Sequence, residues 1–220
     1  MDNYIERLID YLLVKYKCDT VILYGSYARG DFTAESDVDL VCFRESEIDL
    51  NDTGIFEGKQ LDVWVMSKKA LLAPQDFLHI REGIVLVDKD ASGEKLLKTV
   101  DDMYACGPEK KERKDKLFLI DWMNKMYLRS TKGDIEGTYR YYWLVRDILE
   151  IYFELHDLWY EGPKKSLSWL ELNDTVFYNH YEKVLRDKVL SVEMRALIEY
   201  LSESLMVNDQ LEEAILPNKQ

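Results

Sequence analysis

The stretch of sequence that decides the fold runs Leu23-Tyr24-Gly25-Ser26-Tyr27-Ala28-Arg29-Gly30-Asp31 and continues further on as Ser36-Asp37-Val38-Asp39-Leu40. An apolar run over 21–24 precedes Gly25 and is typical of a short strand. We expect Gly25 to end this strand where a helix begins, with Ser26 at the N-cap of that helix. Backbone N–H groups at such a helix start, together with a hydroxyl, form a cradle for phosphate oxygens. Gly30 permits a backbone conformation that a side chain would oppose.

Three aspartates accompany this stretch. Asp37 and Asp39 lie two residues apart at the start of a second apolar run, over 38–43, and alternate residues of a strand point to the same face. Asp62 interrupts a third apolar run, over 61–66, where an unpaired carboxylate is costly to bury. If the third strand neighbours the second, the three carboxylates meet. Hard oxygen ligands of this kind select Mg²⁺ or Mn²⁺, and the pattern predicts a site for two such ions.

The first hundred residues alternate between helical and strand patterns. The spacing of apolar residues predicts an amphipathic helix over 3–16, and a β-branched run predicts a further strand over 84–87. The segment 44–60 contains Asn51-Asp52-Thr53-Gly54, which predicts a turn between two neighbouring strands. This part of the chain therefore predicts a small mixed sheet with flanking helices.

The composition changes after Met103 and becomes helical in pattern. The polar stretch 107–114 is typical of a linker or a helix start. Helices are predicted, by the spacing of apolar residues, at roughly 109–131, 134–159, 173–187 and 191–207, with Gly162-Pro163 breaking the chain. We therefore predict an α+β protein with a mixed-sheet domain over residues 1–105 and a helical bundle over residues 106–220.

Composition narrows the classes of partner. The formal net charge is −13, whereas a protein that binds nucleic acid through its phosphates needs a basic surface. The charge therefore argues against a nucleic-acid substrate more firmly than it favours cationic partners, because an acidic surface can also serve solubility alone. No apolar run approaches the roughly 20 residues that span a bilayer, and the N-terminus has no secretory signal. Three scattered cysteines are typical of free thiols in a reducing compartment, so we expect a cytoplasmic protein without a membrane partner.

Gly25-Ser26-x-x-x-Gly30, then Ser36-Asp37-x-Asp39-Leu40, then a third strand carboxylate, resembles the signature of the DNA polymerase β-like nucleotidyltransferase superfamily. The resemblance covers about residues 20–66. It implies that Gly25 and Ser26 hold the triphosphate of an NTP, with ATP favoured, and that Asp37, Asp39 and Asp62 bind metal at the catalytic centre.

The small size and the helical second half also resemble the antibiotic nucleotidyltransferases that adenylylate aminoglycosides or lincosamides. The resemblance implies that residues 1–105 form the nucleotidyltransferase domain and residues 106–220 the substrate-binding domain. This implies transfer of a nucleoside monophosphate, AMP from ATP, onto a hydroxyl of a small molecule with release of pyrophosphate. The similarity to kanamycin nucleotidyltransferase makes Asp121 a candidate for the general base, with Glu150 as an alternative. The similarity to a Pro-Lys segment of streptomycin/spectinomycin adenylyltransferases implies that Lys164, with Lys165 in reserve, contacts the phosphates of ATP.

Four acids recur at helical spacing within the predicted helix over 134–159: Asp147, Glu150, Glu154 and Asp157. Such a face could bind the ammonium groups of a cationic acceptor through charge-assisted hydrogen bonds. A charged face that is only solvated is the alternative.

Three other functions stay open. The same chemistry could modify a protein side chain, for which the acidic face would not be needed. A non-catalytic antitoxin-type partner protein is disfavoured by the presence of all three carboxylates and of a large helical half. A polymerase or tRNA-tailing enzyme conflicts with the negative charge and the short chain.

Overall fold

The computed structural model describes residues 2–186 and 192–215. It divides into two compact units, Met1–Cys106 and Gly107–Gln220, named here the first and the second unit. The first unit contains a mixed sheet with flanking helices, and the described residues of the second unit form helices without strands. The predicted α+β class is confirmed. The substrate-binding role of the second half stays a prediction.

The first unit contains the helices and strands that the sequence predicted, together with further short elements that it did not predict. Its elements are α1 (Asp2–Tyr16), β1 (Thr20–Tyr24), α2 (Gly25–Arg29), β2 (Val38–Arg44), β3 (Leu50–Asp52), β4 (Ile55–Phe56), β5 (Lys59–Ser67), two 3-10 helices (Lys68–Leu72 and Pro74–Ile80), β6 (Ile84–Asp88) and α3 (Ser92–Cys106). The strand order is β3-β5-β2-β1-β6, and β4 also pairs with β5. The pairing of β2 with β5 is parallel and the other pairings are antiparallel, which makes the sheet mixed.

Apolar side chains cover both faces of this sheet. On one face, Leu8 and Leu12 of α1 pack with alternate residues of the central strands, among them Leu40 and Val63. On the other face, the residues between them, such as Val41, pack with residues of α3 and of the second 3-10 helix. Fully burying a side chain of this size stabilises the fold by about 1.5–3 kcal/mol. The alternation of the strands therefore decides which side chains face each layer.

The prediction of a turn at residues 51–54 was wrong for the first two of these residues. Asn51 and Asp52 lie in β3 rather than in a turn. A tight turn does not join β2 to β5, because parallel strands need a longer connection. The tight turn lies instead between β4 and β5, at Glu57 and Gly58, whose φ angles are 48° and 81°. Two successive residues with positive φ are what a two-residue hairpin loop requires.

In the second unit, the residues that the structure describes form five helices: α4 (Arg113–Ser130), α5 (Ile135–Leu155), α6 (Gly162–Asn173), α7 (Thr175–Arg186) and α8 (Val192–Ile215). The predicted helix ends at residues 187 and 191 lie outside the described residues. Buried residues of α5 such as Leu144 and Ile148 pack with Phe177 of α7 and Leu197 of α8. Asp174 accepts hydrogen bonds of 2.8 Å from the hydroxyls of Tyr152 and Tyr200 and one of 3.0 Å from a backbone N–H of α7.

The predicted helix over 134–159 ends earlier than expected. Asp157 has a left-handed φ of 53°, and the N–H of Leu158 donates to the carbonyl of Phe153 at 2.9 Å. This is the arrangement of a Schellman motif, which terminates a helix, so Asp157 lies beyond α5. Gly162-Pro163 opens α6 rather than only breaking the chain, since proline is well tolerated in a first turn. Among the described residues, no helix is long and apolar enough to cross a membrane.

Candidate functional site

Strands β2 and β5, and the residue just before β2, place three acidic side chains in one row. Tyr24 of β1 lies opposite Asp39 of β2, and Asp39 lies opposite Asp62 of β5. Asp37 directly precedes β2. One carboxylate oxygen from each of the three aspartates lies within 4.8 Å of the others. The sequence analysis required the strands that carry Asp39 and Asp62 to be neighbours. The pairing of β2 with β5 confirms this, and it brings all three predicted metal ligands together.

Burial and the neighbouring carboxylates change the protonation of Asp39. Burial, followed by the negative charges of Asp37 and Asp62, raises the pKa of Asp39 from its ordinary value of 3.8 to about 6, against the opposing effect of Arg29. A divalent cation among the three groups would remove the repulsion that raises this pKa. The donor set, three hard carboxylate oxygens, is one that Mg²⁺ and Mn²⁺ accept. The residues present therefore fit the predicted cations.

Tyr24 borders the same group of charges. Burial, and then the carboxylates of Asp39, Asp62 and Asp37, raise the pKa of its phenol well above its ordinary value. The hydroxyl therefore keeps its proton at neutral pH, because its loss would add a fourth negative charge to the row. Tyr24 can donate a hydrogen bond but does not serve as a base.

Gly25 connects the row to helix α2. Its φ is 69°, and a Cβ added to it would lie 2.0 Å from Oδ2 of Asp39. Only glycine allows both the positive φ and this close approach. Gly30 ends α2 with a φ of 80°, which confirms its predicted conformational role.

The prediction that Ser26 is the N-cap of this helix was wrong. Ser26 is the second residue of α2, whereas Tyr24 is the N-cap and its side chain makes no capping hydrogen bond. The physical reason is the positive φ of Gly25, which turns the chain into the helix two residues earlier than the sequence suggests. N–H groups in the first turn of a helix have no intrahelical acceptor, and Gly25, the first residue of this helix, lies against the side chain of Asp39. Phosphate binding by Gly25 and Ser26 stays a prediction.

The candidate residues of the second unit lie on three helices. Lys164 is exposed in the first turn of α6. Asp121 is exposed on α4 and pairs with Lys125 at 2.5 Å. Glu150 is exposed on α5 and makes no hydrogen bond or ion pair with the residues that the structure describes. Their roles as phosphate ligand and as general base stay predictions.

The predicted acidic face is smaller than the sequence suggested. Asp147 accepts a hydrogen bond of 2.6 Å from the indole of Trp143, and Glu154 pairs with Lys111 at 3.2 Å. Asp157, beyond the end of α5, pairs with Lys116 at 2.6 Å. Glu150 is the member of the set that is exposed and unpaired among the described residues. It lines a groove of about 290 Å³ between α4 and α5, together with Phe118, Leu119, Trp122, Arg146, Asp147, Ile151 and Glu154.

Two residues beside the carboxylates were not identified as candidates from the sequence. Asn51 of β3 donates a hydrogen bond of 2.5 Å from Nδ2 to Oδ1 of Asp62. Trp64 of β5 is 44% exposed although its strand is apolar. The position of Trp64 two residues after Asp62 was an available signal, because it places both side chains on one face. Asn51 gave no such signal, because the sequence pattern does not show that β3 pairs with the strand that carries Asp62.

Short stretches of the chain are similar to two archaeal proteins of Methanocaldococcus jannaschii. "Putative protein adenylyltransferase MJ0141" is 62% identical over 29 residues, which cover 13% of this chain and 29% of that protein. "Putative protein adenylyltransferase MJ0604" is 40% identical over 47 residues, which cover 20% of this chain and 47% of that protein. The chain thus spans less than half the length of each of these relatives.

A nucleotidyltransferase-like protein from Exiguobacterium sibiricum 255-15, of known crystal structure, aligns with a TM-score of 0.42 and 13% sequence identity, over 94% of this chain and 75% of that one. The family model described as the nucleotidyltransferase domain matches residues 5–129, which is more than half of the chain. The match includes the row of carboxylates, Gly25 and the whole sheet. The chain belongs to the nucleotidyltransferase domain family.

Proposed function

We propose that this protein is a metal-dependent nucleotidyltransferase that moves a nucleoside monophosphate, AMP from ATP, onto a hydroxyl group and releases pyrophosphate. The observation that carries the proposal is the convergence of Asp37, Asp39 and Asp62 within 4.8 Å beside the start of α2. Membership of the nucleotidyltransferase domain family supports it. A non-catalytic antitoxin-type role has no need of an assembled set of three carboxylates.

In this proposal the side chains position reactants and bind cations. Asp37, Asp39 and Asp62 would hold Mg²⁺ or Mn²⁺, which supply charge neutralisation at the phosphates and activation of an attacking oxygen. The first-turn N–H groups at Gly25 and Ser26 would bind phosphate oxygens of the NTP, and Lys164 is the candidate for a further phosphate contact. Asp121 and Glu150 are the candidates for the base that accepts the proton of the acceptor hydroxyl. Most of the rate enhancement would come from orientation and electrostatics.

For the acceptor, we propose a small hydroxylated molecule of the aminoglycoside or lincosamide type, bound by residues 106–220. The support is the groove of the second unit, where the unpaired carboxylate of Glu150 lies near the rings of Phe118 and Trp122. A carboxylate beside aromatic rings suits a cation that carries an apolar body. The net charge of −13 would also attract such a cation.

A hydroxyl of a protein side chain is the second candidate acceptor. The names of the two archaeal relatives describe protein adenylyltransferases, which favours this acceptor. Their matches fall on short stretches only, so they support the transfer chemistry more strongly than the acceptor.

The test is label transfer from each α-labelled NTP, with Mg²⁺ or Mn²⁺, to aminoglycosides, to lincosamides and to total cell protein. We expect label from ATP in one of these acceptor classes, and its loss on addition of a chelator. Asp62→Asn is the control protein, since it removes one carboxylate from the row. Transfer that persists undiminished in Asp62→Asn, or with chelator present, would overturn the proposed metal site. The absence of transfer from every NTP to all three acceptor classes would overturn the proposed activity.

A further inference from the structure

The carboxylates of the row have very few hydrogen-bond donors around them. Over residues 2–186 and 192–215, Asp37 and Asp39 accept no hydrogen bond and form no ion pair within the chain, and Asp62 accepts one, from Asn51. Carboxylates that lie together usually collect donors or cations, because an unpaired charge near the protein interior is costly. The amide of Asn51 is therefore the one fixed partner of the group among the described residues.

The sheet brings Asn51 to this position by register. β3 pairs antiparallel with β5, and Asn51 lies opposite Trp64. Side chains directly opposite each other point to the same face, and Asp62 shares that face because it lies two residues from Trp64. The amide of Asn51 reaches diagonally to Oδ1 of Asp62 at 2.5 Å.

We propose that Asn51 is a positioning residue for the metal site: its amide holds Oδ1 of Asp62, fixes the rotamer of this carboxylate and leaves Oδ2 to a cation. The inference rests on the metal-dependent activity proposed above. Donors behind a metal-ligating carboxylate orient the ligand and reduce what is lost when the metal binds.

The chemical nature of the side chain fits this role. A lysine or arginine at position 51 would also hold Asp62, but it would neutralise the charge that a cation needs. A neutral amide donates a hydrogen bond and leaves the full negative charge on the carboxylate. An aspartate at this position would add repulsion instead of a donor.

The test compares Asn51→Leu, which keeps a similar volume without a donor, with the wild-type protein. Mn²⁺ affinity is measured by electron paramagnetic resonance without nucleotide, and the Mg²⁺ dependence of kcat and KM is measured separately. We expect about 10–100-fold weaker Mn²⁺ binding. We also expect a kcat that is low at limiting Mg²⁺ and recovers at saturating Mg²⁺, which a general folding defect would not produce. Asn51→Gln, which retains an amide, should recover part of the affinity.

Two controls make the result decisive. Asn124→Leu changes an exposed asparagine of α4 whose amide donates to a backbone carbonyl, and it should leave Mn²⁺ affinity unchanged. Asn51→Ala is the second variant, in case leucine disturbs the short strand β3. Wild-type Mn²⁺ affinity in both Asn51→Leu and Asn51→Ala, while Asp62→Asn loses it, would overturn the role of Asn51 and leave the proposed function in place. Wild-type affinity in Asp62→Asn would instead overturn the metal site itself.

Discussion

Asp39→Asn separates the stability of the first unit from its activity. We expect the variant to lose nearly all nucleotidyl transfer, because it removes the central carboxylate of the row. In the metal-free protein we expect the same change to stabilise the fold. Burial and two neighbouring carboxylates raise the pKa of Asp39 from 3.8 to about 6, so its ionised form is disfavoured in the folded state. Each pKa unit corresponds to about 1.4 kcal/mol, which gives a penalty of about 3 kcal/mol as an upper limit.

The penalty has a defined pH window. Between pH 3.8 and about 6, the folded protein keeps the proton of Asp39 while the unfolded chain has lost it. The stability of the wild-type protein therefore falls as the pH rises through this window, and the full penalty is present above about pH 6. Solvent reaches part of the side chain, so we expect about 1–3 kcal/mol of stabilisation in Asp39→Asn near pH 7.5. The difference should shrink toward zero as the pH approaches 3.8.

The assay must report on the first unit, because two units can unfold separately. Urea-dependent hydrogen exchange, read by mass spectrometry on peptides of β1 and β2, meets this need. It is measured with a chelator at about pH 5 and about pH 7.5. Asp10→Asn, at an exposed position of α1, is the matched control and should change stability by less than about 0.5 kcal/mol. A destabilised Asp39→Asn protein, or a stabilisation that is the same at both pH values, would refute the reasoning.

Three further predictions concern the start of α2, the cysteines and the second unit. Gly25→Ala should lower transfer at least about 100-fold and weaken Mn²⁺ binding, because the added Cβ would meet the Asp39 carboxylate. Gly30→Ala is the matched control, since Gly30 has a similar positive φ but open space around it. This control should lower the free energy of unfolding by about 1–2 kcal/mol and keep activity. Ellman's reagent should modify the exposed Cys106 in the native protein and reach the two buried cysteines only on unfolding; rapid reaction of all three thiols would contradict the packing. Asp174→Ala should destabilise the second unit by about 2–4 kcal/mol in urea titrations, because it leaves two tyrosine hydroxyls unpaired and removes a helix cap; a loss under about 1 kcal/mol would show that water replaces the carboxylate.

Local spacing was enough to predict part of the site. Asp37 and Asp39 are two residues apart, and the period of a strand alone predicts that they converge. Asp62 needed one further condition, the adjacency of β2 and β5, which spacing cannot supply and which the register of the sheet confirms. The hydrogen bond from Asn51 to Asp62 was not predictable, because the composition of residues 51–54 suggested a turn and local spacing does not show which strand pairs with β3.

The errors in the helical half and at α2 have local causes. The predicted acidic face relied on continuing α5 through Asp157, where a residue in the left-handed conformation ends the helix. Aspartate tolerates that conformation better than most residues, yet apolar periodicity continues past it and hides the helix end. Ser26 was predicted as the N-cap because serine is a preferred cap. The positive φ of Gly25 instead lets the helix start closer to the N-terminus, with Tyr24 as the N-cap.

The core of the first unit and the row of carboxylates are produced by the same alternation. Leu61, Val63 and Val65 of β5 are buried against α1, and this fixes Asp62 and Trp64 on the opposite face. A shift of one residue in the pairing of β2 with β5 would turn these three apolar side chains to the other face and carry Asp62 into the core. Such a shift would remove several buried side chains, each contributing about 1.5–3 kcal/mol, and would bury a charge. The packing energy of the core therefore selects the register in which Asp39 and Asp62 lie opposite each other, so that folding the sheet correctly also assembles the candidate site.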